Sequence, residues 1–242
     1  MHAAIAEASQ IADASAWTFR DDSMISIRVV SPAAWFAYLK REWLLYHLAD
    51  ERFRFMWDAP PNNEWVALDC ETTGLNVRTD EIISIAAVRI VGNRVMTSER
   101  IELLVRPERR VSAASVRIHQ LREQDVAGGL SPEAALIQLM YFIGSRPLVG
   151  YYLEFDLAMI DRALFPLLGM GLPQPKCEVS AMYYDYKFRR LPQHQQDRNI
   201  DLRFATLMKD LGLPLRNAHD ALNDAVMAAL AFVKLRQLLA AT

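Results

Sequence analysis

The chain has 242 residues, 52% of them hydrophobic and 23% charged, with 27 basic against 29 acidic side chains for a formal charge of −2. That is enough apolar material for a sizeable core, and it excludes disorder, a collagen repeat or a coiled coil as the main state. A global basic field for nucleic acid is excluded as well, so phosphate contacts must come from local patches, to which the predominance of arginine over lysine is suited.

Residues 1–16 are Ala-rich and read as a helix or a loose tail. Glu7 and Asp13 stand where a secretory signal would be apolar, and no run approaches the roughly 18 apolar residues of a membrane span. Residues 24–30 are a strand candidate. Ser31-Pro32 reads as a helix start, with Ser as N-cap and Pro at the first helical position. Trp35, Phe36, Leu39, Trp43, Leu44 and Leu48 then recur at spacings of three and four. This stripe is expected to pack on the rest of the chain or to serve a homodimer or protein partner. The break Asp58-Ala59-Pro60-Pro61-Asn62-Asn63 predicts a boundary, with a helical extension over 1–60 and the main domain over 61–242.

After the break, Trp65–Thr72, Glu81–Val91 and Arg94–Val105 read as three strands, the last two joined at Gly92-Asn93 in an antiparallel meander. A helix is predicted from Ser131-Pro132 to Ile143, a short apolar strand over Pro147–Tyr152 and a helix over Phe155–Leu168. Residues 178–188 and 201–211 read as helices separated by a polar loop at Arg189–Asn199, and a final Ala/Leu-rich helix starts near Asp220. Strands alternating with helices predict an α/β fold, a mixed sheet flanked by helices. Cys70 and Cys177 are too few for a disulfide framework, so a reduced, cytoplasmic setting is expected.

Three acidic motifs carry chemistry. The first strand ends in D-C-E-T-T-G. Side chains alternate along a strand, so Asp69 and Glu71 face one way and Cys70 the other, with Val66 and Leu68. Adjacent carboxylates repel unless a cation lies between them, and oxygen ligands suit Mg²⁺ or Mn²⁺. Thr72-Thr73-Gly74 follows as a polar turn whose backbone can approach a ligand closely. In G-Y-Y-L-E-F-D, Asp156 falls at a helix start. In H-D-A-L-N-D-A, His219 and Asp224 are about 140° apart if both are helical, so His219 is expected to precede the helix, with Asp220 as N-cap and Asp224 one turn in. Taken singly, each motif has a plainer reading: a solvated strand end, a first-turn acid favourable to the helix dipole, a surface histidine.

Taken in order, Asp69 and Glu71, then Asp156, then His219 and Asp224, the motifs resemble those of the DnaQ-like (DEDDh) 3′–5′ exonucleases over about residues 64–236. The chain is similar in particular to the exonuclease domain of the replicative epsilon subunit. The middle motif departs, with Tyr151-Tyr152 where many members have His-Asn. The resemblance implies a ribonuclease-H-like exonuclease fold. It implies two Mg²⁺ or Mn²⁺ ions held by Asp69, Glu71, Asp156 and Asp224, with His219 as general base releasing nucleoside 5′-monophosphates. It further implies that Thr72 contacts the terminal sugar, that Leu75 presses on the 3′-terminal base and that His119 lies near the bound nucleotide, with Gly74 in the same substrate-binding turn. The substrate expected is a nucleic-acid 3′ end. The double Thr leans toward single-stranded DNA over oligoribonuclease-type RNA trimming. Few residues follow Asp224, which favours a stand-alone or auxiliary nuclease over a polymerase-bound proofreading subunit.

Overall fold

The computed structural model describes residues 32–192, 199–216 and 219–241; the Ala-rich segment 1–16, the strand expected at 24–30 and residues 193–198 of the expected loop lie outside them. The chain divides into two compact units, Met1–Leu39 and Lys40–Thr242. Helix α1 (Pro32–Tyr46) starts where the fixed φ and missing N–H of proline suit a first turn. Within the second unit, the end of this helix supplies Leu45 to the core, the turn after it Leu48, and a 3-10 helix (Glu51–Trp57) Phe53 and Met56. Trp43, expected on the inward stripe, is 61% exposed, its ring against His47. The helix ends at Tyr46, before Leu48, and of its last turn Leu45 is the residue buried in the core.

Five strands form one mixed sheet in the order β3-β2-β1-β4-β5. Strands β1 (Glu64–Thr72), β2 (Ile82–Val91) and β3 (Arg94–Leu104) make the expected antiparallel meander. Strand β4 (Leu148–Gly150) runs parallel to β1, and β5 (Lys176–Glu178) parallel to β4. Strand β5 has no counterpart in the sequence reading, because three residues are too few to show a period. The β1–β2 register slips between Glu71 and Thr72, where Ile83 of β2 is the extra residue opposite the D-x-E end.

Helices cover both faces. On one, Val66, Leu68 and Cys70 pack with α4 (Pro132–Ile143) and α5 (Leu153–Leu168). On the other, Ala67, Val88 and Ile90 pack with α8 (Ala221–Ala240), whose buried Ala221, Ala225, Ala228 and Ala229 let it lie close to the sheet. Helices α6 (Val179–Arg190) and α7 (Phe204–Asp210) complete that layer. Two short helices, α2 (Ala113–His119) and α3 (Glu123–Val126), were not expected; seven and four residues give too few turns for an apolar stripe. Their trace in the sequence is Ser112, whose hydroxyl caps α2 by accepting from the Ser115 N–H at 3.0 Å. No helix among the described residues is long and apolar enough to cross a membrane.

Candidate active site

The alternation of β1 turns Asp69 and Glu71 toward α8, while Cys70 is buried among the residues of the opposite layer. Helix α8 supplies the third acid. Asp220 is its N-cap, accepting from the Asn223 N–H at 2.9 Å, and Asp224 sits one turn in. His219 precedes the cap with φ at +66°, and its backbone N–H donates to Asp224 Oδ2 at 2.9 Å. Ligating oxygens of Asp69, Glu71 and Asp224 lie within 4.8 Å of one another. That group does not include Asp156, but Asp156 lines the same cleft from the first turn of α5, at the carboxyl end of β4, and is only 5% exposed.

The cleft has a volume of about 520 Å³, and His219, Leu75, Tyr151, Tyr152, Glu154 and Phe155 complete its lining with Cys70. No Lys or Arg is among those lining residues. The carboxyls respond accordingly. Burial, and then the Asp156, Asp224 and Glu71 charges, hold Asp69 well above the usual carboxylate range. Burial pushes Glu71 up to about 7, with Asp224 and Asp220 adding to it. Asp156 is pushed up to about 8, again mainly by burial, although the Cys70 backbone hydrogen bond works the other way. Asp224 is raised by burial against the His219 N–H, and its Oδ1 is buried without a hydrogen-bond partner. An all-oxygen donor set, mutual repulsion and an orphaned lone pair fit a hard divalent cation.

The expected substrate residues divide. Leu75 is 84% exposed on the rim of the cleft. Thr72 is buried, and its hydroxyl donates to the Gly74 carbonyl at 2.7 Å, so it shapes the turn. A Cβ at Gly74 would fall 2.5 Å from Asp80 Oδ2, so any larger residue there would displace the carboxylate that accepts from the Asn76 N–H. His119 ends α2, is 6% exposed and faces an adjoining cleft of about 320 Å³ shared with Glu71 and His219. Its Nδ1 accepts from the Leu121 N–H at 3.1 Å. Burial and then His219 lower its pKa; the Thr72 carbonyl acts oppositely, yet Nε2 completes no hydrogen bond. Of the basic residues near the expected 189–199 loop, Lys187 pairs with Asp210 at 2.7 Å and Arg189 with Asp185 at 2.8 Å, while Arg198 lies outside the described residues.

Sequence reasoning missed Glu178. It stands at the end of the unexpected β5, and its carboxylate accepts from the N–H groups of Tyr152 (3.1 Å), Leu153 (2.8 Å) and Ser180 (2.9 Å). It therefore fixes the entry into α5 and, through it, Asp156. No short-range pattern marks a carboxylate that reaches Tyr152 and Leu153, some 25 residues back along the chain.

Comparison with known proteins agrees with this geometry. A family model described as an exonuclease (RNase T) matches residues 66–232. The chain belongs to the exonuclease family. Its curated relatives mark it as a DnaQ-like member. It is 32% identical over 174 residues to a DNA polymerase III subunit epsilon-like protein of Rhodobacter capsulatus, covering 71% of this chain and 23% of that protein. It is 26% identical over 170 residues to the PolC-type DNA polymerase III of Thermotoga maritima, covering 70% of this chain and 12% of that one. The chain thus spans less than a quarter of either relative. In fold, this exonuclease is similar to E. coli exonuclease I in a complex with single-stranded DNA (TM-score 0.61, 19% identity, 75% of this chain and 43% of that one). It is similar also to exonuclease X in complex with 5′-overhanging duplex DNA (TM-score 0.55, 21% identity, 72% and 91%).

Proposed function

We propose that the chain is a divalent-metal-dependent 3′–5′ exonuclease, with residues 61–242 as its catalytic domain, releasing nucleoside 5′-monophosphates from single-stranded DNA ends. The observation that carries this reading is the cleft, with no Lys or Arg among its described lining residues, in which Asp69, Glu71 and Asp224 converge within 4.8 Å beside buried Asp156 and His219. Asp69, Glu71, Asp156 and Asp224 would hold two Mg²⁺ or Mn²⁺ ions, which when bound acidify a water and stabilise charge on the attacked phosphodiester. His219 accepts that water's proton on an imidazole nitrogen; it is aimed by its own left-handed backbone and the N–H bond to Asp224. Leu75 rests against the terminal base, and the turn held by Thr72 and Gly74 keeps Leu75 at the rim. His119, with an unsatisfied Nε2 donor, meets the nucleotide in the adjoining cleft. The scissile phosphate leaves on the terminal nucleotide, and the strand keeps a free 3′-hydroxyl.

DNA is favoured over RNA by the polymerase relatives and by the DNA bound in the exonuclease I and exonuclease X structures. Incubation with Mn²⁺ or Mg²⁺ and 5′-labelled DNA and RNA oligomers tests both parts. A ladder shortened from the 3′ end of DNA, abolished by EDTA, is the expected result. A ladder from RNA alone would move the substrate to the RNA branch, and no cleavage of either would remove the nuclease reading.

A further inference from the structure

Tyr152 is the N-cap of α5 in the left-handed region, with φ 52° and ψ 36°. A bulky aromatic residue seldom adopts that conformation, which Asn and Gly take readily, and such outliers persist only where the surroundings fix them. Here Glu178 fixes it, accepting from the N–H groups of Tyr152 and Leu153. The ring beyond this clamp is 58% exposed and lines the acidic cleft. It is backed edge-on by Tyr151, centroids 4.6 Å apart at 66°. Tyr151 in turn stacks on Phe204 at 4.3 Å and 20°, and its hydroxyl donates to the Leu202 carbonyl at 2.8 Å. The result is a three-ring ladder, anchored at the far end, whose last ring stands in the cleft that Leu75 also lines. A solvated surface tyrosine needs neither a strained backbone nor two rings behind it.

We infer that Tyr152 is a stacking platform for an unpaired base of the strand whose 3′ end lies in the cleft, which makes it a specificity-determining residue. This rests on the nuclease reading above. The chemistry that would meet this ring is a planar aromatic face attached to a phosphate held by the metal-loaded acids. A nucleobase freed from its neighbours has that face; a base inside an intact duplex is covered by stacking on both sides, and a terminal one is held in the stack by its pair. Stacking reads neither base identity nor the sugar 2′ position, so the contact selects single-stranded or frayed ends without sequence preference.

The experiment compares wild type, Tyr152→Asn and Tyr152→Phe on a single-stranded DNA oligomer and on the same oligomer with abasic residues at its two 3′-terminal positions. Asn suits the left-handed backbone, so the variant is expected to melt like the wild type. One stacked base contributes about 1–3 kcal/mol. At 1.4 kcal/mol per tenfold, Tyr152→Asn should lower kcat/KM on the normal oligomer by about 5- to 140-fold, mainly through KM. On the abasic oligomer the two proteins should be equal, and Tyr152→Phe should restore the preference for bases. Equal rates of wild type and Tyr152→Asn on the normal oligomer, or an equal loss on both oligomers, would overturn the platform. Fluorescence anisotropy with the same oligomers in Ca²⁺ separates the two readings. Base-dependent binding lost in Tyr152→Asn, without any cleavage by wild type in Mg²⁺ or Mn²⁺, would sink the nuclease reading and keep the platform. Binding indifferent to the base would do the reverse.

Discussion

The two ends of β1 handle charge in opposite ways. At its start, Glu64 accepts from Arg146 at 2.6 Å, with both side chains largely shielded. Next to it Arg236 lies 3.9 Å over the Trp65 ring and donates to the Gly92 carbonyl at 3.0 Å. At its finish, eight residues or fewer away, Asp69 and Glu71 share a cleft with Asp156 and Asp224, and no Lys or Arg is among the described residues that line it. The first end is a matched arrangement that holds the sheet together. The second raises its carboxyl pKa values and leaves Asp224 Oδ1 without a partner, an arrangement that stability alone would not favour. Within one strand, then, paired charge marks structure and unpaired charge marks the site.

The sharpest way to break this contrast is Asp69→Asn or Asp224→Asn. Activity should fall to the metal-free background, while the melting temperature in EDTA should rise, because one member of a repelling set has gone. Loss of activity with a lower melting temperature in EDTA would mean that these acids stabilise the fold. Next in size is His219→Gln. Single-turnover cleavage should slow by roughly 10²–10⁴-fold, the usual worth of a general base, with the Mn²⁺-induced rise in melting temperature kept. A variant that loses that rise would make His219 a ligand.

The pH dependence sharpens the comparison without mutation. Glu71 at about 7 and Asp156 at about 8 lie above the unfolded values, so between roughly pH 5 and 8 the folded state holds protons that the unfolded chain has released. Stability of the metal-free protein should therefore fall as pH rises through that window. The gain on adding Mg²⁺ should grow with pH, because metal ligands must be deprotonated. Melting curves with and without the ion at pH 5, 6, 7 and 8 check both slopes, and a metal-free curve that rises through the window would contradict the assignment. The smallest effect belongs to the paired end. Arg146→Ala removes a charged hydrogen bond and should cost about 1–2 kcal/mol in urea denaturation, with kcat per folded molecule unchanged.

The D-x-E pair, the N-cap role of Asp220 and the placement of His219 ahead of its helix were legible in the sequence, because each follows from local periodicity: two residues per strand repeat, 3.6 per helical turn. So were the meander and the long helices α4, α5 and α8, whose turn signals and apolar patterns are strong over many residues. Local periodicity could not show that β1 and α8 bring Asp69, Glu71 and Asp224 within 4.8 Å, since that distance is set by packing of buried alanines on the sheet. Nor could it show that the Thr72 hydroxyl is spent inside its turn, that a buried His119 closes a short helix, or that Glu178 clamps Tyr152. Those depend on partners far apart in the chain or on helices too short to carry a pattern. The sequence determined which groups the protein brings to the reaction; the tertiary structure decided which of them meet, because hydrogen bonds and like-charge repulsion act over a few ångströms of space whatever the separation along the chain.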